Sequence, residues 1–542
     1  MSDDHSANDI ATLINNAREL AGDDVNGNAV SKPILIVDTV NPDQTVDDLA
    51  QVLRQTAVIY DRGMPCVVVR DAIQDCLIAS PLTPASLTAL AHKHARPRKV
   101  RGGSSQGDLV DVRLPKDISS MYLDSRALWQ LPPLNGFSSS PMMSDDGEIR
   151  SASGYDVPTG LWLVNVPDLS CIVPLRPSRD QAEAALRRLR ARLATFCFAD
   201  AETIKPNDAR PTSVNLDRPP GADESAALCA LMTAVARPSL DTAPAILVRS
   251  AAISGAGTGK GLLCRVISSI AYGRKISAVT IGETSQEFEK RLSAELMSGH
   301  PVVFLDNVNN RSVRSNLLAA AITESPARVR KLGTSEMIAI NNRCLILITG
   351  NGVTVAEDLV RRTLLVELDA RNAAPESRTF TDDILKDTAE QRDELLAAVL
   401  TIWRWSRQDE LPKGVSAGSF HTWARWCRDP LLALGCRDPI LRQREMKEID
   451  PEREHLTRAF EQWAAAHGDA PMTADALHES VKEALIPGRA SRQALAAYLV
   501  QIAGIRIDGW YLQRLPRQSK WPGNRYRLIA QPDRNAPISR EL

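Results

Sequence analysis

A glycine-rich loop with one lysine is the segment best equipped for chemistry. After the apolar run 245–253 and before a predicted helix at 262–272, the chain reads Ser254-Gly255-Ala256-Gly257-Thr258-Gly259-Lys260-Gly261. Glycines let backbone N–H groups turn toward phosphate oxygens, and the amino end of a helix adds partial positive charge. We predict that these eight residues bind ATP and that Lys260 reaches its β- and γ-phosphates. A chance glycine-rich turn is the alternative, and the position between strand and helix argues against it.

Two positions of this loop differ from the usual pattern. Ser254 stands where a glycine is common, which is a mild change. Gly261 stands where a Ser or Thr hydroxyl normally binds Mg²⁺. Water can take that coordination position, so nucleotide binding should tolerate the change better than rapid turnover does.

A carboxylate follows the next apolar run. Residues 301–305 predict a buried strand, and Asp306 ends it. At the carboxyl end of a parallel strand, Asp306 is the candidate Mg²⁺ ligand beside the phosphates. Asn307 comes next, in a position suited to catalysis, but an amide cannot accept a proton from water. Hydrolysis would then use Asp306 itself or another carboxylate, Glu283 or Glu287; the alternative for Asp306 is an ordinary turn residue.

A third apolar run, 344–349, leads to Asn351. We predict that Asn351 contacts the γ-phosphate or the attacking water. Arg361 and Arg362 follow on a predicted helix, where one of them would reach a neighbouring subunit's phosphate. Adjacent helical side chains point about 100° apart, so the two arginines cannot share this role, and Arg362 is the preferred one. The alternative is ion pairing with Glu357, Asp358 or Glu367.

The order strand, phosphate loop, helix, acidic strand, asparagine and arginine resembles the AAA+ P-loop ATPases, and among them the superfamily 3 helicases of viruses and mobile elements. Gly154-Tyr155-Asp156 and residues 375–380 resemble segments of phage and plasmid primase-helicases. The resemblance implies a parallel sheet in 5-1-4-3-2 order and assembly into a ring of six. No segment resembles a primase catalytic domain, so a primase would be a separate chain.

The same resemblance implies a hairpin that lines the ring pore and grips single-stranded DNA. The matching stretch is 327–340, which contains Arg328, Arg330 and Lys331. The implied activity is an ATP-dependent DNA helicase or translocase, with ATP and Mg²⁺ as ligands, acting in replication of a mobile element. An ATP-dependent assembly switch or loader that does not unwind DNA is the first alternative. A protein remodeller is the second, and the basic end of the chain argues against it.

That basic end predicts a second DNA contact. A predicted helix at 491–503 precedes short strand-like pieces, a pattern typical of a winged-helix domain. Its candidate DNA-binding residues are Arg514, Arg517, Lys520 and Arg525, interleaved with Trp510, Tyr511, Trp521 and Tyr526. Basic side chains attract phosphate and aromatic rings stack on bases. The alternative is that the rings form the core of the domain and the charges only solvate it.

A further basic stretch, AHKHARPRKVRGGSS at 91–105, is either a solvated linker or a nucleic-acid contact loop. The whole chain of 542 residues carries a net charge of −1, so nucleic acid must bind at local patches of this kind. The nine cysteines form no C-x-x-C pair, which argues against a zinc ribbon or a disulfide framework. No apolar run reaches the roughly 18 residues of a membrane span, and the acidic start is unlike a signal peptide. We therefore expect a soluble cytoplasmic protein without a membrane partner.

The fold class that we expect is α/β, with an AAA+ P-loop core and its parallel sheet after small α+β N-terminal domains. A helical region and a winged-helix domain would follow the core. The predicted segments are a flexible arm at 1–32, a small α/β domain at 33–105, an α+β domain and linker at 106–222, the AAA+ ATPase domain at 223–375, a helical region at 376–466 and a winged-helix-like DNA-binding domain at 467–542.

Overall fold

The computed structural model describes residues 32–71, 75–100, 109–204, 212–251, 256–282, 284–309, 312–331, 335–372, 374–378, 380, 383–443, 451–488, 491–516 and 524–530. The described residues fall into two compact units. The first lies within Met1–Val353 and Arg361–Arg442, and the second lies within Thr354–Val360 and Gln443–Leu542. In this part of the chain no helix combines the length and the apolar character that crossing a membrane requires.

The first unit begins with two three-stranded sheets and the helices that cover them. One sheet has the order β1-β5-β6 and the other the order β2-β3-β4. The elements are β1 (Ile34–Ile36), α1 (Pro42–Gln55), β2 (Ile59–Asp61), β3 (Pro65–Asp71), β4 (Cys76–Pro81), α2 (Pro84–His94), β5 (Arg96–Val100), β6 (Leu109–Asp111), α3 (Lys116–Asp124) and α4 (Arg126–Trp129). We call residues 32–131 the N-terminal module.

This module overturns one reading of the basic stretch 91–105. Residues 91–94 form the last turn of α2, and Arg96–Val100 is β5, the middle strand of its sheet. The described part of the stretch is therefore not a linker. Residues 101–105 lie outside the described residues.

Short strands and one long helix join this module to the central sheet. The strands are β7 (Gly136–Ser138), β8 (Met142–Met143), β9 (Ile149–Arg150), β10 (Gly154–Asp156), β11 (Leu161–Leu163), β12 (Thr203–Ile204) and β13 (Ser213–Val214). The helix is α5 (Arg179–Leu193), and Ser178 and Gln181 form a reciprocal capping box at its start.

The central sheet holds four parallel strands. They are β14 (Ala245–Ser250), β15 (Val302–Leu305), β19 (Leu345–Asn351) and β21 (Thr363–Glu367), in the order β15-β19-β14-β21. A parallel bridge from Val279 to Leu305 lies beside β15, where the implied order places another strand. All four residues of β15 are buried, as expected for a parallel strand covered on both faces.

Helices surround this sheet. They are α6 (Ala222–Ala236), α7 (Lys260–Tyr272), α8 (Ser285–Ser298) and α9 (Asn316–Thr323), with the short strands β16 (Ser312–Val313), β17 (Ala327–Arg330) and β18 (Met337–Ile340) between the last helix and β19. Every residue of α6 is buried, including Asp223 and Glu224 in its first turn, and the rest of the helix is mostly apolar. Thr284 caps α8, and Gly299 ends it in the left-handed conformation.

The first unit ends in a helical region after β21. Its elements are α11 (Ile384–Glu390), α12 (Arg392–Trp405), α13 (His421–Trp423), a π-helical turn at Ala424–Arg428 and α14 (Asp429–Ala433). Trp423 and Trp426 are buried. Both side chains therefore contribute to packing within the first unit.

The second unit contains β20 (Thr354–Val355), α10 (Glu357–Val360), α15 (Pro451–His467), β22 (Met472–Thr473), α16 (Glu479–Leu485), α17 (Arg492–Ile502), β23 (Arg506–Ile507), β24 (Trp510–Leu515) and β25 (Arg525–Ala530). The last four strands form one sheet in the order β22-β25-β24-β23. Phe460 and Trp463 of α15 share an apolar cluster with Leu499 and Tyr526. This cluster therefore includes residues that precede 467, where the predicted domain begins.

Candidate nucleotide-binding site

The phosphate loop connects β14 to α7. Of its eight predicted residues, Ser254 and Gly255 lie outside the described residues. Gly257 and Gly259 have φ angles of 72° and 94°, in the left-handed region that side chains rarely adopt. A Cβ on Gly257 would also lie 2.7 Å from the backbone nitrogen of Glu376. Both positions therefore need glycine for the backbone conformation, and Gly257 needs it for packing as well.

Lys260 is the first residue of α7, and its ammonium group lies over the end of β14. Its Nζ donates to Ser250 Oγ at 2.8 Å and to Thr258 Oγ1 at 3.2 Å. Ser250 Oγ in turn donates to Asn351 Oδ1 at 2.9 Å. Burial lowers the pKa of Lys260, and the negative charge of Asp306 opposes this effect. Lysine, serine and asparagine thus form one hydrogen-bonded chain across two neighbouring strands.

Asp306 lies at the carboxyl end of β15, as predicted. Its Oδ1 accepts hydrogen bonds from the Thr349 hydroxyl and, at 3.0 Å, from the Asn307 backbone N–H. The Arg265 guanidinium lies 3.8 Å from Oδ2. These contacts fix the carboxylate in one orientation.

Gly261 lies directly beside this carboxylate. A Cβ on Gly261 would be 3.6 and 3.7 Å from the two oxygens of Asp306. A hydroxyl at this position would therefore lie next to Asp306, as Mg²⁺ coordination in phosphate-loop proteins requires. One fixed carboxylate suits Mg²⁺, which commonly keeps several waters and binds substrate phosphates, and here the Arg265 guanidinium lies beside the same carboxylate. The residues present therefore fit Mg²⁺ held by Asp306, without a protein hydroxyl from position 261.

Asparagine side chains occupy the adjoining strand ends. Asn307 has a φ of 60°, a left-handed conformation that asparagine tolerates well. Its N–H also lies 3.3 Å from Thr349 Oγ1, and Asn309 Oδ1 accepts from the Asn351 N–H at 2.8 Å. These bonds hold the turn after β15 against the end of β19.

Of the carboxylates considered for activating water, Asp306 is the one that the structure places at Lys260. Glu287 forms an ion pair with Arg291 on α8. Glu283 lies outside the described residues.

The predicted helix at Arg361 and Arg362 is wrong. The helix α10 ends at Val360, and both arginines lie in the turn that enters β21. The Arg362 carbonyl accepts from the Ala245 N–H at 2.9 Å, which draws this segment into the sheet. Arg361 is exposed and Arg362 is partly buried. Arg249 pairs with Glu367, one of the partners considered for the two arginines.

A cavity of about 790 Å³ adjoins the phosphate loop. Its lining includes Phe196 from the segment after α5, Thr258 and Leu262, and Arg378 and Phe380. The Arg378 guanidinium donates to the carbonyls of Thr258 and Gly257 at 3.2 and 3.4 Å, and it lies over the Phe380 ring.

Sequence reasoning missed Ser250, Thr349 and Arg378 at this site. Arg378 lies in the segment 375–380, which resembles a segment of primase-helicases, but the resemblance did not assign a role to this arginine. Ser250 and Thr349 lie within apolar strands, and a single sequence offers no signal that their hydroxyls face the loop.

The predicted hairpin is present in the structure. Strands β17 and β18 are antiparallel, with Arg328 opposite Ala339 and Arg330 opposite Met337. Arg328 and Arg330 are exposed, while Ala327 and Val329 between them are buried. The hairpin therefore presents two arginines on one face.

Contacts with the N-terminal module hold the turn end of the hairpin. Lys331 lies 3.4 Å from Glu336, which also pairs with Arg126. A Cβ on Gly63 would lie 3.0 Å from the Cβ of Ile338. Lys331 is thus tied to the turn end of the hairpin, directly after the exposed Arg330.

The candidate DNA contacts of the second unit have mixed outcomes. Arg514 is exposed and donates to Asn524 Oδ1 at 3.0 Å. Arg525, on β25, lies opposite Leu515 of β24. Arg517 and Lys520 lie outside the described residues. Tyr526 is buried in the core of the unit, so stacking on a base is wrong for this ring.

The chain matches no protein-family model and no curated protein. Two solved apo structures of the NrS-1 C terminal region are 13% and 14% identical to it, each covering 89% of this chain and 98% of its own, with TM-scores of 0.33 and 0.31. SCCmec type IV Cch, an active helicase, is 11% identical and covers 86% of this chain and 93% of its own, with a TM-score of 0.32. TM-scores this low establish neither fold nor function for this chain.

Proposed function

We propose that this protein is an AAA+ ATPase that acts as an ATP-dependent DNA helicase or translocase. The observation that carries the proposal is the arrangement of Lys260, Ser250, Asn351 and Asp306 at the carboxyl ends of adjoining parallel strands. Ligands of open α/β sheets bind at this edge. The left-handed glycines before Lys260 and the amino end of α7 suit a phosphate chain.

The cavity beside the loop is the proposed place of the nucleoside. Phe196 and Phe380 offer apolar surface to a base, and Arg378 fixes the loop carbonyls between base and phosphates. ATP fits this combination because its triphosphate would lie along 256–260 with Lys260 at the β- and γ-phosphates. Mg²⁺ held by Asp306 would neutralise phosphate charge.

Hydrolysis requires an oriented water. Asn351 is held by Ser250 and Asn309 and would orient that water beside the γ-phosphate. Since Asn307 cannot take a proton from the attacking water, Asp306 is the proposed proton acceptor. Of the two arginines, Arg361 suits the neighbour's phosphate better than Arg362 because it is exposed. A site shared in this way requires assembly, for which we propose a ring of six.

The hairpin is the proposed DNA contact of the ring, through Arg328 and Arg330 on single-stranded or forked DNA. Arg514 and Arg525, with Arg517 and Lys520, would add contacts from a winged-helix-like unit. Basic side chains of this kind neutralise backbone phosphates. We place the activity in replication of a mobile element, with any primase on a separate chain.

Gly261 and Asn307 favour a second candidate, an ATP-dependent switch or loader that assembles on DNA without unwinding it. Gly261 lacks the hydroxyl, and Asn307 the carboxylate, that would speed hydrolysis, but nucleotide binding requires neither group. Displacement of a strand from forked DNA separates the two candidates, because only a helicase releases it.

The nucleotide site is tested by replacing its lysine. We expect Lys260→Ala to abolish ATP binding in a titration, since the phosphates lose their nearest ammonium group. Lys290→Ala, at an exposed position of α8, is the matched control and should bind ATP normally. Undiminished affinity of the Lys260 variant would show that ATP binds elsewhere.

A further inference from the structure

One end of the β1-β5-β6 sheet concentrates positive charge in the N-terminal module. Strands β1 and β5 are parallel and β6 runs antiparallel to β5, so β1 and β5 begin where β6 ends. Lys32 precedes β1, Lys93 lies in the last turn of α2 just before β5, and Arg113 follows β6. We call these three residues the cationic sheet end. Chain topology thus brings together basic residues from three separate stretches of sequence.

Contacts show that this end is compact. Lys32 Nζ donates to the His92 carbonyl at 3.1 Å, and the Leu114 N–H donates to His92 Nε2 at 3.1 Å. Burial lowers the pKa of His92, and the charges of Arg113 and Lys32 lower it further. Burial likewise lowers the pKa of His94, with Lys93 and Lys32 adding to the effect. The cations therefore lie close to two imidazoles, and their charge adds to the effect of burial on both pKa values.

Nearby acidic charge is already engaged. Asp111 accepts from Arg96 at 2.7 Å and from Arg98 at 2.7 Å, so it is shared between two arginines. Lys32 and Arg113 form no ion pair with a residue that the structure describes. Concentrated positive charge on a chain with a net charge of −1 creates a local field that attracts anions.

The module offers charge without base-stacking surface. Its three aromatic residues, Tyr60, Tyr122 and Trp129, are all buried. Proteins that bind single strands combine basic grooves with exposed aromatic rings, whereas duplex backbone contacts need the charge alone. The cationic sheet end therefore suits the phosphates of double-stranded DNA better than unpaired bases.

We propose that the cationic sheet end is a second nucleic-acid site, which binds the phosphate backbone of duplex DNA without reading its sequence. The choice of DNA as the anionic partner rests on the proposed function. The proposed site gives the N-terminal module a role of its own: it holds the duplex arm of a fork, while the hairpin contacts the single strand.

The test is a triple substitution in the full chain, Lys32→Gln, Lys93→Gln and Arg113→Gln. The matched control removes three exposed cations elsewhere, by Arg70→Gln, Lys290→Gln and Lys413→Gln. Binding of a short blunt duplex is measured without nucleotide over a series of NaCl concentrations. We expect the slope of log affinity against log salt to become shallower by about 2 to 3, at about 0.9 for each phosphate contact. The control should keep the wild-type slope.

Three outcomes would overturn the inference. The first is a triple variant whose salt slope and duplex affinity are unchanged. The second is a lower melting temperature with no change in slope, which would show that the cations only stabilise the end of α2. The third is loss of binding to vesicles of anionic phospholipid while duplex binding persists, which would make a membrane surface the partner. Because nucleotide is absent, failure of the ATPase proposal in the Lys260→Ala titration leaves this result readable on its own.

Discussion

At the scale of single residues, the site combines predicted groups with groups that only the fold reveals. Lys260, Asp306 and Asn351 could be predicted because motif spacing and the ends of apolar runs mark them. The two hydroxyls that join them, Ser250 and Thr349, could not, because their strands read as continuous apolar runs. Which face of a buried strand meets a loop depends on packing, and no local pattern reports it.

Gly261 allows a prediction at this scale. We expect Gly261→Ser to tighten Mg²⁺ binding in the presence of ATP by roughly tenfold and to raise turnover, because the new hydroxyl would lie beside Asp306. Gly261→Ala is the matched control, since it fills the same space without an oxygen. Both substitutions meet the mobile end of Arg265, 3.1 Å from the added Cβ. ATPase rates over a series of Mg²⁺ concentrations give the apparent Mg²⁺ dissociation constant of each variant. Equal constants for the Ser and Ala variants would refute the Mg²⁺ assignment.

At the scale of elements, long and well-capped segments follow the sequence. Residues 285–298 form α8 because Thr284 and Gly299 mark its two ends. The turn at Arg361 and Arg362 does not follow the sequence. Helix-forming residues precede it, yet the bond from the Ala245 N–H recruits the chain to the sheet edge. Local propensity is a weak prior that tertiary contacts override.

Arg62 joins the N-terminal module to α8, the helix that precedes β15 in the chain. Its guanidinium donates to the carbonyls of Leu296 and Met297, at the end of α8, at 2.6 and 2.8 Å, and to Leu134 at 2.9 Å. Burial lowers the pKa of this arginine to about 10. Such a buried cation is retained because it satisfies carbonyls that would otherwise stay unpaired.

We therefore expect Arg62→Ala to reduce the free energy of unfolding by roughly 3 kcal/mol or more, since hydrogen bonds from a charged donor are lost and buried carbonyls remain. Arg70→Ala, which breaks an exposed ion pair with Asp75 on the same sheet, should cost less than about 1 kcal/mol. Denaturant unfolding measures both values. Equal, small losses would show that Arg62 does not anchor the module.

At the scale of the whole molecule, the account depends on copies acting together. The loop, the carboxylate and the asparagine lie within one chain, while the exposed Arg361 has no role in its own site. The α/β class could be predicted from motif order, and the strand order was implied by the resemblance to AAA+ ATPases. The middle strand at 96–100 could not be predicted, because its charges hide the strand pattern.

Mixing variants tests the shared site. We expect Arg361→Ala to reduce ATP turnover by roughly 10³-fold, the scale of an arginine finger, with ATP binding and monomer stability unchanged. Adding Lys260→Ala protein should restore part of the activity, because one subunit then supplies the loop and the other the arginine. Arg362→Ala, at the adjacent residue, should turn over ATP normally. Normal turnover in both arginine variants, or mixtures that never recover activity, would contradict a site shared between subunits.

Strand displacement from forked DNA distinguishes a helicase from a protein that only assembles on DNA. Wild-type protein is mixed with a forked DNA duplex, ATP and Mg²⁺, and release of one strand is followed over time. The account predicts ATP-dependent release, which is lost in Lys260→Ala and in the hairpin variant Arg328→Ala with Arg330→Ala, although the hairpin variant still binds ATP. If wild-type protein binds the fork and hydrolyses ATP yet leaves the duplex intact, the protein is a switch or loader and not a helicase.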